Sequence, residues 1–172
     1  MSGPFTWSFG TGAVAQCPCS IWQGAAPAGA VEAADTSVVN LGVRFQASGD
    51  GTITGVRFYK EADDSGPHTG SLWTSSGTLL ATGTFSNETA SGWQELDFST
   101  PVPVTAGTTY VASYFTNTGH YAYTSGGLSS AVTNGPLTAL AAGGVYAYGA
   151  PNTFPSNTFG ASNYWVDVVY SP

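Results

Sequence analysis

From Val39 onward the chain alternates. Val39, Leu41, Val43 and Phe45 are apolar, with Asn40, Gly42, Arg44 and Gln46 between them, the period of a strand with one buried face. Ser48-Gly49-Asp50-Gly51 supplies turn residues, and 52–60 returns with Val56 and Phe58 on one face and Arg57 and Tyr59 on the other. Symmetric closure of that turn predicts a hairpin in which Val43 faces Val56, Leu41 faces Phe58, Arg57 lies opposite Gly42 and Arg44 opposite Gly55. Further strands are predicted over 69–73, 79–85, 93–98, 109–115, 120–124, 145–148 and 164–170. Turn dipeptides such as Ser76-Gly77, Ser91-Gly92 and Ala106-Gly107 punctuate them. Pro101 and Pro103 mark a sheet edge or a crossing between sheets. Only 130–142 has the makings of a short helix, and Gly135-Pro136 interrupts it. Residues 1–35 read as an irregular arm with Phe5, Trp7, Phe9 and Trp22 as apolar pegs. About nine short strands without crossover helices predict an all-β fold: a single antiparallel β-sandwich, jelly-roll-like, spanning 1–172.

Composition supports that class and removes several functions. Hydrophobic residues make up 42% of the 172, but charged residues only 8%, so Ser, Thr, Asn and Gly must supply the polar surface. Helical proteins normally cover exposed faces with Glu, Lys and Arg, which are scarce here. Three cations against ten anions give a formal charge of −7. Arg44, Arg57 and Lys60 cannot make the basic cluster that a nucleic acid or an anionic membrane surface requires. No apolar run approaches the length of a membrane span. Low charge, few lysines and abundant Ser, Thr and Asn suggest an extracellular bacterial protein.

Several constellations carry candidate chemistry. Cys17 and Cys19 flank Pro18; the pair is read as a local disulfide, with free or buried thiols and a zinc set shared with His68 and His120 as alternatives. Asp63, Asp64 and Ser65 in a Gly-containing loop, with Asp50 in a turn, offer oxygen ligands for a structural calcium; solvated acidic turns are the plainer reading. Glu95 and Asp97 project from one strand face about 7 Å apart, a backbone spacing near that of inverting glycosidases, and a solvated strand face explains them equally. No nucleophile elbow accompanies the Ser, His and Asp inventory. No catalytic residue is assigned, and the chain is read as a non-enzyme.

The aromatic excess is the more telling feature: five Trp, nine Tyr and nine Phe. Sugar rings stack on Trp and Tyr, and their hydroxyls take Asn, Asp, Arg and His. Arg57 and Tyr59 share one strand face, and Tyr121 and Tyr123 share another. Trp73 points outward if Leu72 is core. The candidate ligand residues are therefore Arg57, Tyr59, His68, Trp73, His120 and Tyr121. Trp93, Tyr110 and Tyr114 read as core or corner residues, and Tyr164, Val166, Val168 and Tyr170 as a buried stripe.

The blocks 41–45, 55–60, 68–73, 77–81, 90–94, 106–114 and Gly119-His120-Tyr121 together resemble one bacterial extracellular family, catalogued as domain of unknown function 4082. The resemblance runs from Cys17-Pro18-Cys19 to Tyr164-Trp165-Val166-Asp167. It implies a β-sandwich accessory found beside other modules of secreted, often polysaccharide-active proteins, with no assigned catalytic residues. One departure is Phe115, where the resemblance places a His after the Ser-Tyr pair. The expectation is a noncatalytic carbohydrate-binding module, a monomeric unit of a larger secreted chain, binding polysaccharide or oligosaccharide. A structural or adhesion module is the rival.

Overall fold

The computed structural model describes residues 17–27 and 31–172; Phe5, Trp7 and Phe9 lie outside the described residues. These contain eleven strands and no helix, and they build a β-sandwich. The larger sheet has six strands in the order β5 (Leu79–Thr84), β4 (Thr69–Thr74), β7 (Tyr110–Thr116), β2 (Val39–Ala47), β10 (Leu137–Tyr148) and β9 (Val132–Asn134). The smaller has three: β11 (Val166–Ser171), β3 (Gly51–Lys60) and β6 (Gly92–Val104). A ribbon of β1 (Val31–Ala34) and β8 (His120–Tyr123) stands beside them, so the arm read over 1–35 ends in a strand. All pairings are antiparallel.

The predicted hairpin of residues 39–60 does not form. β2 pairs with β7 and β10, whereas β3 pairs with β6 and β11, so the turn at 48–50 is a corner between layers. Tyr170 holds that corner by donating its hydroxyl to the carbonyls of Gly49 and Asp50 at 3.1 and 3.0 Å. The alternation itself was correct: Leu41, Val43, Phe45, Ile53, Val56 and Phe58 all enter the core. Alternation fixes which face of a strand is buried and leaves its neighbour open. Arg57 consequently faces Glu95 and Asp167 across its two pairings, and Arg44 faces Val111.

The helix expected over 130–142 is also replaced. β9 and the start of β10 form a hairpin closed by Gly135-Pro136, with Gly135 at φ +54°. Leu137 and Ala139 alternate into the core beside Ala47 and Phe45, which a helical period would not allow. The strand predicted at 145–148 is the second half of this long strand, beyond a bulge between Ala139 and Gly144. Pro103 sits on β6, which borders its sheet, where a missing N–H costs no ladder bond.

Three strands cannot cover six. The second layer is extended by short pieces of chain: Cys19 bridges Tyr170 at one end of β11, and Asn163 bridges Thr124 to join the ribbon at the other. The strip around Ser162 lies flat on β10 because Gly144 has no side chain; a Cβ there would stand 1.8 Å from the Ser162 carbonyl oxygen.

At one end of the core a charge network is sealed in. His68 is fully buried against Phe58, with 4.8 Å between ring centroids. Its Nε2 lies 3.0 Å from Asp64 Oδ2 and its Nδ1 2.8 Å from Glu88 Oε2, which also accepts from Lys60 Nζ at 2.8 Å. The other Asp64 oxygen accepts from the hydroxyls of Thr116 and Thr118 at 2.6 and 2.7 Å. A carboxylate beside each ring nitrogen favours the imidazolium, in which two cations balance two carboxylates. Burial alone lowers the His68 pKa, but Asp64 and Glu88 together raise it above its ordinary 6.5.

A raised folded-state pKa means the imidazolium contributes fully below 6.5, and its contribution disappears as pH climbs through the raised value. Thermal melts between about pH 5 and pH 9 should therefore show stability falling on the alkaline side. His68→Ala should abolish that dependence and cost about 3–5 kcal/mol, because two carboxylates then lose their shared donor. A flat alkaline limb in the unaltered protein would exclude a buried imidazolium.

Candidate ligand site

The predicted ligand residues fall in three separate places. Arg57 and Tyr59 do share the outer face of the three-stranded sheet, as their alternation requires. Residues 17–25 fold over that face, however, and Arg57 holds them there. Its Nη1 donates to Ser20 Oγ at 2.9 Å and lies 3.3 Å from Asp167 Oδ2. Its Nη2 donates to the Gln23 carbonyl at 3.0 Å, and its Nε is 3.4 Å from Glu95. The guanidinium also rests 4.6 Å from the centre of the Trp93 ring. Trp93 is thus half-buried on the outer face rather than in the core, with Tyr59 edge-on at 5.7 Å. The fork assigned to a ligand is engaged by the protein's own chain.

Asp167 completes the clamp. It is fully buried, and its carboxylate accepts from the backbone N–H groups of Ile21, Trp22 and Val168 at 2.6, 3.1 and 2.8 Å. Burial pushes its pKa up, against the downward pull of those N–H groups and Arg57. Cys17 and Cys19, joined by a disulfide, begin the clamped segment. Glu95 and Asp97 line an open polar recess beside it with Thr54 and Pro18.

Trp73 and His68 are not at a ligand surface. Trp73 does alternate with Leu72 onto the outer face of the six-stranded sheet, but it is only 4% exposed. The loop after β10 covers it: Phe154 packs at 5.6 Å, and Asn152 accepts from Ser71 at 2.6 Å to hold the loop down. The indole N–H donates to Ser113 at 2.9 Å. His68 is enclosed by its carboxylates, and Asp64, proposed for calcium, has both oxygens engaged by His68, Thr116 and Thr118. Asp63 stands exposed, and Asp50 accepts from the Ala106 N–H. These acids do not converge on a common point. No cluster of three metal-ligating side chains occurs among the described residues.

His120 and Tyr121 lie on β8, and Tyr121 leads to a site that sequence reasoning missed. Tyr121, Tyr146, Tyr148, Phe159 and Tyr164 line a hollow of about 260 Å³. Tyr146 and Tyr148 take the core-facing side of β10, in register with Leu41 and Val39, beyond the reach of the three-stranded sheet. Tyr164 comes from the strip that Gly144 admits, and Phe159 from the preceding loop. The strip kinks after Tyr164: Trp165 adopts φ +53°, rare for a bulky residue, with its N–H donated to Asn163 Oδ1 at 2.9 Å. Trp165 then packs on Trp22 at 5.4 Å, leaving Tyr164 to the hollow.

The rings stand steeply to one another. Tyr121 and Tyr164 are 6.0 Å apart at 70°, Tyr146 and Tyr148 5.7 Å apart at 75°, and Tyr146 and Tyr164 6.4 Å apart at 67°. Tyr148 donates its hydroxyl to Asp35 at the rim. That bond is the main reason its pKa is pushed up to about 12. Burial is the main cause for Tyr121 and Tyr164, both also raised, with Asp35 adding to the first. A legible signal existed: the tripeptide Tyr-Ala-Tyr occurs at 121–123 and again at 146–148, each placing two phenols on one strand face.

The fold is a β-sandwich with an aromatic recess at an uncovered stretch of one sheet. Residues 24–166 match the family model described as Domain of unknown function (DUF4082), and the chain belongs to that family. No curated protein matches it. Every residue lining the hollow falls inside the matched stretch, and Cys17 and Cys19 precede it.

Arg57→Ala should release residues 17–25 and leave Asp167 buried without its cation, at a cost of about 3 kcal/mol. Amide hydrogen exchange at Ile21 and Trp22 should accelerate, while Tyr146 on β10 keeps its protection. Unchanged protection at Ile21 and Trp22 would show that Arg57 is not the clamp.

Proposed function

We propose that the domain is a noncatalytic carbohydrate-binding module of an extracellular bacterial protein, with the tyrosine-walled hollow as its glycan site. One observation carries this reading. Among the described residues, Tyr148 and Phe159, at 53% and 65% exposed, are the two aromatic rings in the exposed large apolar set, and both line the same hollow. A folded protein leaves such rings in water at a cost of apolar hydration, so their convergence on one recess points to a ligand. Ring faces accept the apolar face of a pyranose, and the phenol hydroxyls with Asp35 take its hydroxyls. The volume lies just under the roughly 300–1,000 Å³ of common ligand pockets, which suits one sugar unit of a longer chain. No bond is made or broken; affinity comes from a surface preformed by the sandwich.

A glycan array with the isolated domain tests the reading. Phe159→Ala should weaken binding to retained glycans by about 1–3 kcal/mol and leave the melting temperature unchanged. Trp73→Ala should do the reverse, costing about 3–5 kcal/mol of stability while the folded fraction binds normally. An empty array, or one on which Phe159→Ala matches the unaltered domain, would favour a structural module. Val38, Tyr148 and Phe159 would then be the face offered to a neighbouring domain.

A further inference from the structure

We infer that the hollow selects a glycan bearing an organic ammonium group, a protonated amino sugar, over uncharged or acidic glycans; this rests on the glycan-binding reading above. Among the described residues its lining is aromatic: Tyr121, Tyr146, Tyr148, Phe159 and Tyr164. Each π face carries a negative quadrupole, and rings set at 67–75° to their neighbours border one volume. Steeply set rings around one volume also make a good enclosure for a compact cation carried on a sugar.

The charges around the hollow favour the same ligand. Asp35 is fixed at the rim by the Tyr148 hydroxyl. The chain's three Lys and Arg residues are all engaged elsewhere: Arg57 with Glu95 and Asp167, Lys60 with Glu88, and Arg44 with the Ser156 carbonyl at 3.3 Å. An acidic sugar would meet a carboxylate and ring faces, with no Lys or Arg among the described lining residues. An ammonium would meet both the faces and the carboxylate, partly out of water, where each attraction strengthens. The raised pKa values of Tyr148 and Tyr121 include a contribution from the Asp35 carboxylate, the same charge that would attract an ammonium.

Calorimetric titration with a glucosamine trimer and with its N-acetylated counterpart isolates the charge, because length and linkage are shared. The glucosamine trimer, titrated with its amines protonated, should bind about tenfold more tightly. Asp35→Asn and Tyr148→Phe should each narrow the difference to within about threefold, and Phe159→Ala should weaken both ligands. Equal affinity for the two trimers, or preference for the N-acetylated one, overturns the inference and leaves the glycan reading standing. Undiminished glucosamine binding by Phe159→Ala overturns it too, by showing attraction to the acidic surface at large. If the glucosamine trimer does not bind, the inference falls; whether any glycan is retained on the array then decides the broader reading separately.

Discussion

The constraint that shapes this domain is the mismatch between a sheet of six strands and one of three. An antiparallel sheet of this composition buries one face in the core, and every stretch of that face needs a cover. The smaller sheet covers only part of it. The remainder is closed by segments that the ladders do not require: the chain around Cys19 beside Tyr170, the strip at 162–164 on Gly144, and the β1–β8 ribbon joined through Thr124 and Asn163. Where those pieces stop short, the inner face of β10 ends in Tyr146 and Tyr148, and the hollow begins. The site is thus the unfinished margin of the core. That explains why its walls are aromatic: residues placed there must serve as core on one side and meet water on the other, which tyrosine does with its hydroxyl.

Scarce charge has a second consequence. With three Lys and Arg in 172 residues, each cation performs a defined task. Arg57 gathers Asp167, Glu95, Ser20 and Gln23 into one clamp, and Lys60 joins Glu88 and His68 in a sealed network. Two networks built around buried charges fasten loops that the ladders leave loose. Buried ion pairs of this kind are weak sources of net stability but strong penalties against rearrangement, because separating one partner strands the other. They fix where the chain lies, and so which surfaces stay open.

Much of the fold was legible in the residues. Period-two alternation placed the strands from Val39 to Tyr170 except β9 and the first half of β10, and assigned most inner faces correctly, because burial of a strand face is a local property of its sequence. Strand partners were not local. Four turn residues at 48–51 serve a hairpin and a corner equally, and only the long-range pairing of β3 with β6 and β11 decides between them. The same limit hid what covers the outward faces. Trp73 does point away from the core, but a loop eighty residues later in the chain folds across it through Asn152 and Phe154. Arg57 was likewise assigned to a ligand because Ser20, Gln23 and Asp167 are distant in sequence and only the fold brings them to it.

Tyr121 alone among the predicted ligand residues lines the hollow, and the reason is instructive. Pattern reasoning asks whether a residue faces in or out, and an aromatic facing inward is ordinarily core. Tyr146 and Tyr148 face inward by register, so they would be discounted on that test. What separates them from Tyr114, which faces the same way from β7 and is 1% exposed, is only whether the opposite layer extends that far. The opposite layer spans Tyr114 with Phe58, stacked at 4.1 Å, and leaves Tyr148 to Asp35 and solvent. In a sandwich with unequal sheets, an inward-facing aromatic is core or binding surface according to its distance from the narrower sheet. Sheet width, a global quantity, therefore determines the chemistry of a local side chain.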